Sequence, residues 1–169
     1  MNRLHPIAPL ALAAALAAAA VSASPASAER ASDPLRFWEG RTESVSTVKV
    51  VMKKPYRSRS VGRGEIRSDG SLLLVQRVHE DGKPPHERRW HIRKVAPGRY
   101  SGTMNEAKGP VTIEEVGGKF RFRFKMKGNL SVEQWLTPLP GGASALNEVT
   151  IKKMGIKVGH SEGRVRKLD

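Results

Sequence analysis

The sequence predicts an all-β protein, an antiparallel up-and-down barrel of about eight to ten strands introduced by one short helical turn. Three observations carry the prediction. From Thr42 onward, apolar and polar residues alternate with period two, and no stretch keeps a helical period over about eleven residues. Recognisable turn chemistry separates the alternating segments. The chain of 169 residues holds 16 Gly and 11 Pro but no Cys, so turns are many and only packing and strand pairing can hold them together. A long meander disposes of its exposed edges most simply by closing on itself, which puts a barrel ahead of a sandwich.

The first element is a predicted signal peptide over residues 1–28. Arg3 and His5 form a basic start, Ile7 to Val21 make an Ala/Leu run interrupted only by Pro9, and Ala26-Ser27-Ala28 is a small-residue cleavage site. The alternatives are a buried amino-terminal helix or an uncleaved anchor, but the run is short for a bilayer span and the three regions come in the right order. Export to a periplasmic or secreted location follows. Removing 28 of 169 residues leaves 141, starting at Glu29, enough for one domain with a full core.

Residues 29–41 form a linker and the helical turn. Asp33 suits a cap, Pro34 the first helical position and Gly40 a stop, while Leu35, Phe37 and Trp38 give the turn an apolar side fit to plug a barrel end. Residues 42–169 form the barrel domain, with strands expected over 44–53, 57–67, 72–79, 87–95, 99–104, 111–116, 119–127, 130–136, 145–154 and 162–167. The run from Lys119 to Lys127 is the clearest, with Phe120, Phe122, Phe124 and Met126 on one face and cations on the other. Connections are expected at Ser68-Asp69-Gly70-Ser71, Glu80-Asp81-Gly82-Lys83, Ala96-Pro97-Gly98, Gly117-Gly118, Gly128-Asn129 and Pro140-Gly141-Gly142. A transmembrane barrel needs an apolar outer band with aromatic girdles. Here the alternate face is rich in Lys and Arg and aromatic residues are 5% of the chain, so after signal removal the protein is not expected to span a membrane.

Several segments together resemble an uncharacterised lipocalin-like domain family of proteobacterial envelope proteins. They are Asp33-Pro34-Leu35-Arg36-Phe37-Trp38-Glu39-Gly40-Arg41, Gly62-Arg63-Gly64-Glu65-Ile66 before Asp69-Gly70, Arg88-Arg89-Trp90, and Gly98-Arg99-Tyr100-Ser101-Gly102. The likeness continues through Gln134-Trp135-Leu136, Asn147 and Lys153-Met154-Gly155-Ile156-Lys157-Val158-Gly159, nearly all of the mature chain. The resemblance implies a lipocalin-like barrel and brings no established activity. Many relatives look like lipoproteins; this chain lacks the cysteine they carry, which favours a soluble exported form.

No catalytic or metal constellation emerges. His86 and His91 are five apart and point to opposite faces of one strand, and His79 and His86 flank a hairpin without a placed carboxylate, so surface or turn roles are expected for them and no metal is predicted. There is no nucleophile elbow, Gly62-Arg63-Gly64 is too short for a nucleotide loop, and Glu114 and Glu115 face opposite ways. A non-enzymatic protein without cofactor is expected.

Two binding surfaces remain. Arg88, Trp90 and Ile92 share a face, and Tyr100 follows on the next strand, so an Arg beside aromatic rings inside the barrel can take the carboxylate or phosphate of an amphiphile, or simply plug one end. Gln134 and Asn147 each share a face with apolar neighbours and need a partner, either a ligand or bulged backbone. The expected function is binding of a hydrophobic or amphipathic small molecule or an envelope lipid. The alternative is an interaction module that meets anionic envelope lipid or polymer through its outer face, with Arg121, Arg123 and Lys125 as contacts. Of the 30 Lys and Arg, only Arg3 goes with the signal, so the formal net charge falls from +14 to +13 and stays strongly basic. Export argues against nucleic acid as the partner.

Overall fold

The computed structural model describes residues 33–169, and the predicted signal segment 1–28 lies outside the described residues. In chain order the elements are α1 (Pro34–Trp38), β1 (Gly40–Val50), β2 (Tyr56–Ile66), β3 (Leu72–Glu80), β4 (His86–Ala96), β5 (Arg99–Met104), β6 (Val111–Val116), β7 (Lys119–Met126), β8 (Leu130–Pro138), β9 (Ser144–Lys153) and β10 (Ile156–Lys167). Every strand pairs antiparallel with the next, and β1 pairs with β10 from Thr42 opposite Lys167 to Val50 opposite Gly159. The sheet is therefore a closed up-and-down barrel with no free edge.

Strand β7 shows why the sequence folds this way. Phe120 and Phe122 are buried on the inner face, and the cations between them stand on the outer one. Most strand ends fall within two residues of the sequence expectation, but β1 runs over 40–50 and not 44–53, leaving Val51 to Lys53 in the turn, and β10 starts early. The last strand starts at Ile156 and not at residue 162, because Met154 (φ 50°) and Gly155 (φ 83°) reverse the chain in a two-residue turn that pairs Ile156 with Lys153. A methionine in the left-handed region gives no turn signal in the sequence. The barrel also begins two residues before the predicted 42, since Gly40 already pairs with Gly64.

One end of the barrel is sealed by packing. Leu72, Tyr100, Ile113, Phe120, Leu136 and Val165 are buried in a cluster that includes Leu35 and Trp38 of α1. Each such side chain taken out of water stabilises the fold by about 2 kcal/mol. The helix is short and depends on its ends. The Asp33 carboxylate accepts from the Leu35 N–H at 2.9 Å, Pro34 fills the first helical position, and the Lys167 ammonium donates to the carbonyls of Arg36 and Glu39 at 3.1 and 2.9 Å. Phe37, half-buried, meets the Trp38 ring edge-on at 5.3 Å. Beneath them Gly64 is obligatory, because a Cβ there would lie 1.9 Å from the Trp38 carbonyl oxygen. No helix among the described residues is long and apolar enough to cross a membrane.

Candidate functional site: an internal cavity with two unlike walls

The rest of the interior is not filled. Three consecutive strands around the barrel turn small residues inward: Ser44 and Ser46 on β1, Ser58 and Ser60 on β2, and Ser161 on β10. Ser44 lies opposite Ser60, and Ser46 opposite Ser58, so the hydroxyls form a ladder. Alternation puts Gly62 and Gly163 on the same inner face. Across the barrel stand Trp90 on β4 and Phe122 and Phe124 on β7, with Phe122 and Phe124 edge-on to Trp90 at 6.5 and 5.8 Å. The gap between the walls is a cavity of about 370 Å³ with Trp38 among its lining residues.

Polar groups on the aromatic side are fixed by one another. The Trp90 indole N–H donates to Gln76 Oε1 at 2.8 Å, and the Gln134 amide donates to Asn147 Oδ1 at 2.8 Å. By contrast, among the described residues none of the five serine hydroxyls is hydrogen-bonded within the protein. Away from α1 the cavity reaches the surface between charged side chains. Glu106 accepts from Arg88 Nε and Nη2 at 3.0 and 2.8 Å, and its second oxygen lies 3.0 Å from His86 Nε2. Next to this cluster, in the β3–β4 turn, Lys83 Nζ lies 2.6 Å from Glu80 and 3.3 Å from the Tyr56 hydroxyl. Burial is the largest single influence on the Lys83 ammonium and lowers its pKa, but the hydrogen bonds and charges of Glu80 and Tyr56 together outweigh it and raise the pKa above the ordinary value. Lys83 is thus held cationic at the mouth.

Four of the five predicted ligand residues, Arg88, Trp90, Gln134 and Asn147, line this cavity. Tyr100 does not. It is buried in the packed core and lies opposite Lys94, whereas the residue facing Trp90 from β5 is Met104. Arg88 is ion-paired to Glu106. Sequence reasoning missed Glu106, which sits in a turn between strands, and assigned His86 a surface or turn role although it lines the mouth. The serine ladder was missed as well. Of the predicted outer contacts, Arg121 and Arg123 are both engaged by Glu114, at 2.7 and 2.9 Å, and Arg121 also stacks 5.5 Å over Trp135. Lys125 borders an outer groove with Arg123. Glu114 titrates below its ordinary range, chiefly through the Arg121 hydrogen bond, so one ionised carboxylate offsets part of the positive charge of this face.

A closed antiparallel barrel, plugged by a helix at one end and hollow toward the other, defines a lipocalin-like barrel protein with an internal cavity. The chain belongs to the family described as Protein of unknown function (DUF3833), whose pattern matches residues 12–166. No curated protein matches the sequence. Among solved structures, the S-type phycobiliprotein lyase CPES from Guillardia theta is similar, with a TM-score of 0.64 and 9% identity over 80% of this chain and 90% of that one. EF1p2_mFAP2b bound to DFHBI matches with a TM-score of 0.46 and 12% identity over 82% of this chain and 98% of that one. The first likeness shows the fold.

Proposed function

We propose that the protein is an exported, non-catalytic carrier of an amphipathic small molecule, held in the barrel with an apolar face on Trp90, Phe122 and Phe124 and a hydrogen-bonding edge on the serine ladder. The observation that supports this reading is the inequality of the two walls. A plain acyl chain pressed against five unpaired hydroxyls would strip them of water without replacing its hydrogen bonds, a loss of about 1 to 3 kcal/mol for each one left unsatisfied. A ligand with oxygens or nitrogens along one flank avoids that loss. The cavity is within the size range of small-molecule sites, roughly 300 to 1,000 Å³. Lys83 and the Arg88–Glu106 pair at the mouth favour an anionic group on the end of the ligand that stays near solvent. The likeness to the phycobiliprotein lyase contributes the barrel alone, and the binding reading rests on the cavity.

The test is native mass spectrometry of the protein purified from its own host, followed by extraction of whatever it retains. A stoichiometric small molecule in the wild type, lost from a folded Ser60→Leu variant, is the expected result. An empty protein that takes up nothing from host extracts would overturn the reading. Intact mass reads export at the same time, since a processed chain starts at Glu29.

A further inference from the structure

The four most exposed large hydrophobic side chains among the described residues are Met52, Met154, Ile156 and Val51, at 100%, 86%, 71% and 61% exposure. All four sit on two hairpin tips, β1–β2 and β9–β10. The tips are neighbours, because β1 pairs with β10 and the Val51 N–H donates to the Val158 carbonyl at 3.0 Å. Lysines surround them. Lys53 and Lys54 follow Met52, Lys152 and Lys153 precede Met154, and Lys157 follows Ile156. No Asp or Glu occurs between residues 49 and 56 or between 150 and 158. The next turn around the same rim beyond β2, Glu80-Asp81-Gly82-Lys83, carries two carboxylates, and the Arg57 N–H donates to Asp81 at 3.0 Å. Charge and exposed apolar surface are therefore concentrated on one side of the mouth end.

We propose that these two tips dock the protein on an anionic lipid bilayer, with the methionine, isoleucine and valine side chains entering the headgroup boundary and the lysines lying against lipid phosphates. An acidic polymer would satisfy the lysines and leave the apolar tips in water; a bilayer satisfies both. Lysine suits this role as a strongly hydrated point charge on a flexible stem. Because both tips belong to the open end, docking turns the cavity mouth toward the membrane. The inference does not depend on what the cavity holds.

The chain has no cysteine, so Met52→Cys and Met154→Cys each place an environment-sensitive fluorophore at a single tip, and Val116→Cys, at the sealed end, is the control. The full chain is mixed with vesicles of phosphatidylglycerol or of phosphatidylcholine. A blue shift at both tips with phosphatidylglycerol, weakened by salt and absent at residue 116, is expected. Replacing Lys53, Lys54, Lys152 and Lys153 by Gln in the labelled chain should lower partitioning by about fivefold for each lysine removed. No shift at either tip, an equal shift at residue 116, or equal partitioning onto phosphatidylcholine would overturn the proposal. The label reads the tips directly, so an empty cavity leaves this result unaffected.

Discussion

The Trp90 indole and the Gln76 side-chain carbonyl are joined at 2.8 Å, and both residues are buried in the wall of an otherwise hollow barrel. The bond holds the ring upright where Phe122 and Phe124 can meet it edge-on. Gln76→Leu removes the acceptor and leaves the indole N–H without a partner, so it should destabilise the protein by about 1 to 3 kcal/mol in urea unfolding. In the Trp90→Phe background the same change should cost far less. Equal costs in the two backgrounds would show that the pair is not coupled.

Gly64→Ala places a methyl group 1.9 Å from the Trp38 carbonyl oxygen, so α1 must shift. Overpacking of this kind typically costs about 1 to 3 kcal/mol. The expected signs are a lower melting temperature and a red shift in tryptophan emission as Trp38 leaves the core. An unchanged melting temperature would mean that the plug is not fixed at this contact.

Ser58→Val and Ser60→Val add methyl groups to open space instead. Cavity filling commonly stabilises by about 0.5 to 2 kcal/mol, so the double variant should melt at a higher temperature than the wild type while binding less ligand. A fall in both would indicate that the serines hold the barrel itself.

On the outer wall, Glu43 is gripped from two strands. One of its oxygens takes Arg59 Nε and Nη2 at 2.7 and 2.6 Å, and the other takes Arg166 Nε and Nη2 at 2.8 and 2.6 Å. The Arg166 and then the Arg59 hydrogen bonds hold its pKa below the ordinary 4.5, against the opposing effect of burial. A carboxylate depressed in the folded state adds stability that is fully present above the unfolded value and is lost as pH falls through the folded one. Stability should therefore drop below about pH 4.5, and the drop should be shallower in Glu43→Gln. Identical acid profiles would remove Glu43 from the account.

The sequence made the strands legible and left the hollow hidden, for a physical reason that β7 and β1 illustrate. In β7 large apolar residues alternate with cations, so the inner face declares itself. In β1 the inner face is Ser44 and Ser46 and the outer one Glu43, Val45 and Thr47, so neither side announces burial. A wall of small polar residues looks like a solvated face until closure turns it inward. Arg88, Trp90, Gln134 and Asn147 could be placed because each shares a strand face with apolar neighbours. Glu106 could not, because its approach to Arg88 depends on a turn that alternation does not fix. Met154 hid the start of β10 in the same way, by taking a left-handed conformation usually left to Gly or Asn.

The pairing of β1 with β10 also governs how the molecule comes into being. The seam joins residues as far apart as Thr42 and Lys167, and Leu168 adds a further backbone bond to Arg41. A nascent chain can build hairpins one after another, but its two outermost strands remain unpaired until the carboxyl end leaves the ribosome. Of the five inward serines, the four on β1 and β2 meet in the first hairpin, and Ser161 joins them only when the seam closes. Closure of so long a loop is slow compared with hairpin formation, so the growing chain presents unpaired strand edges until the seam forms.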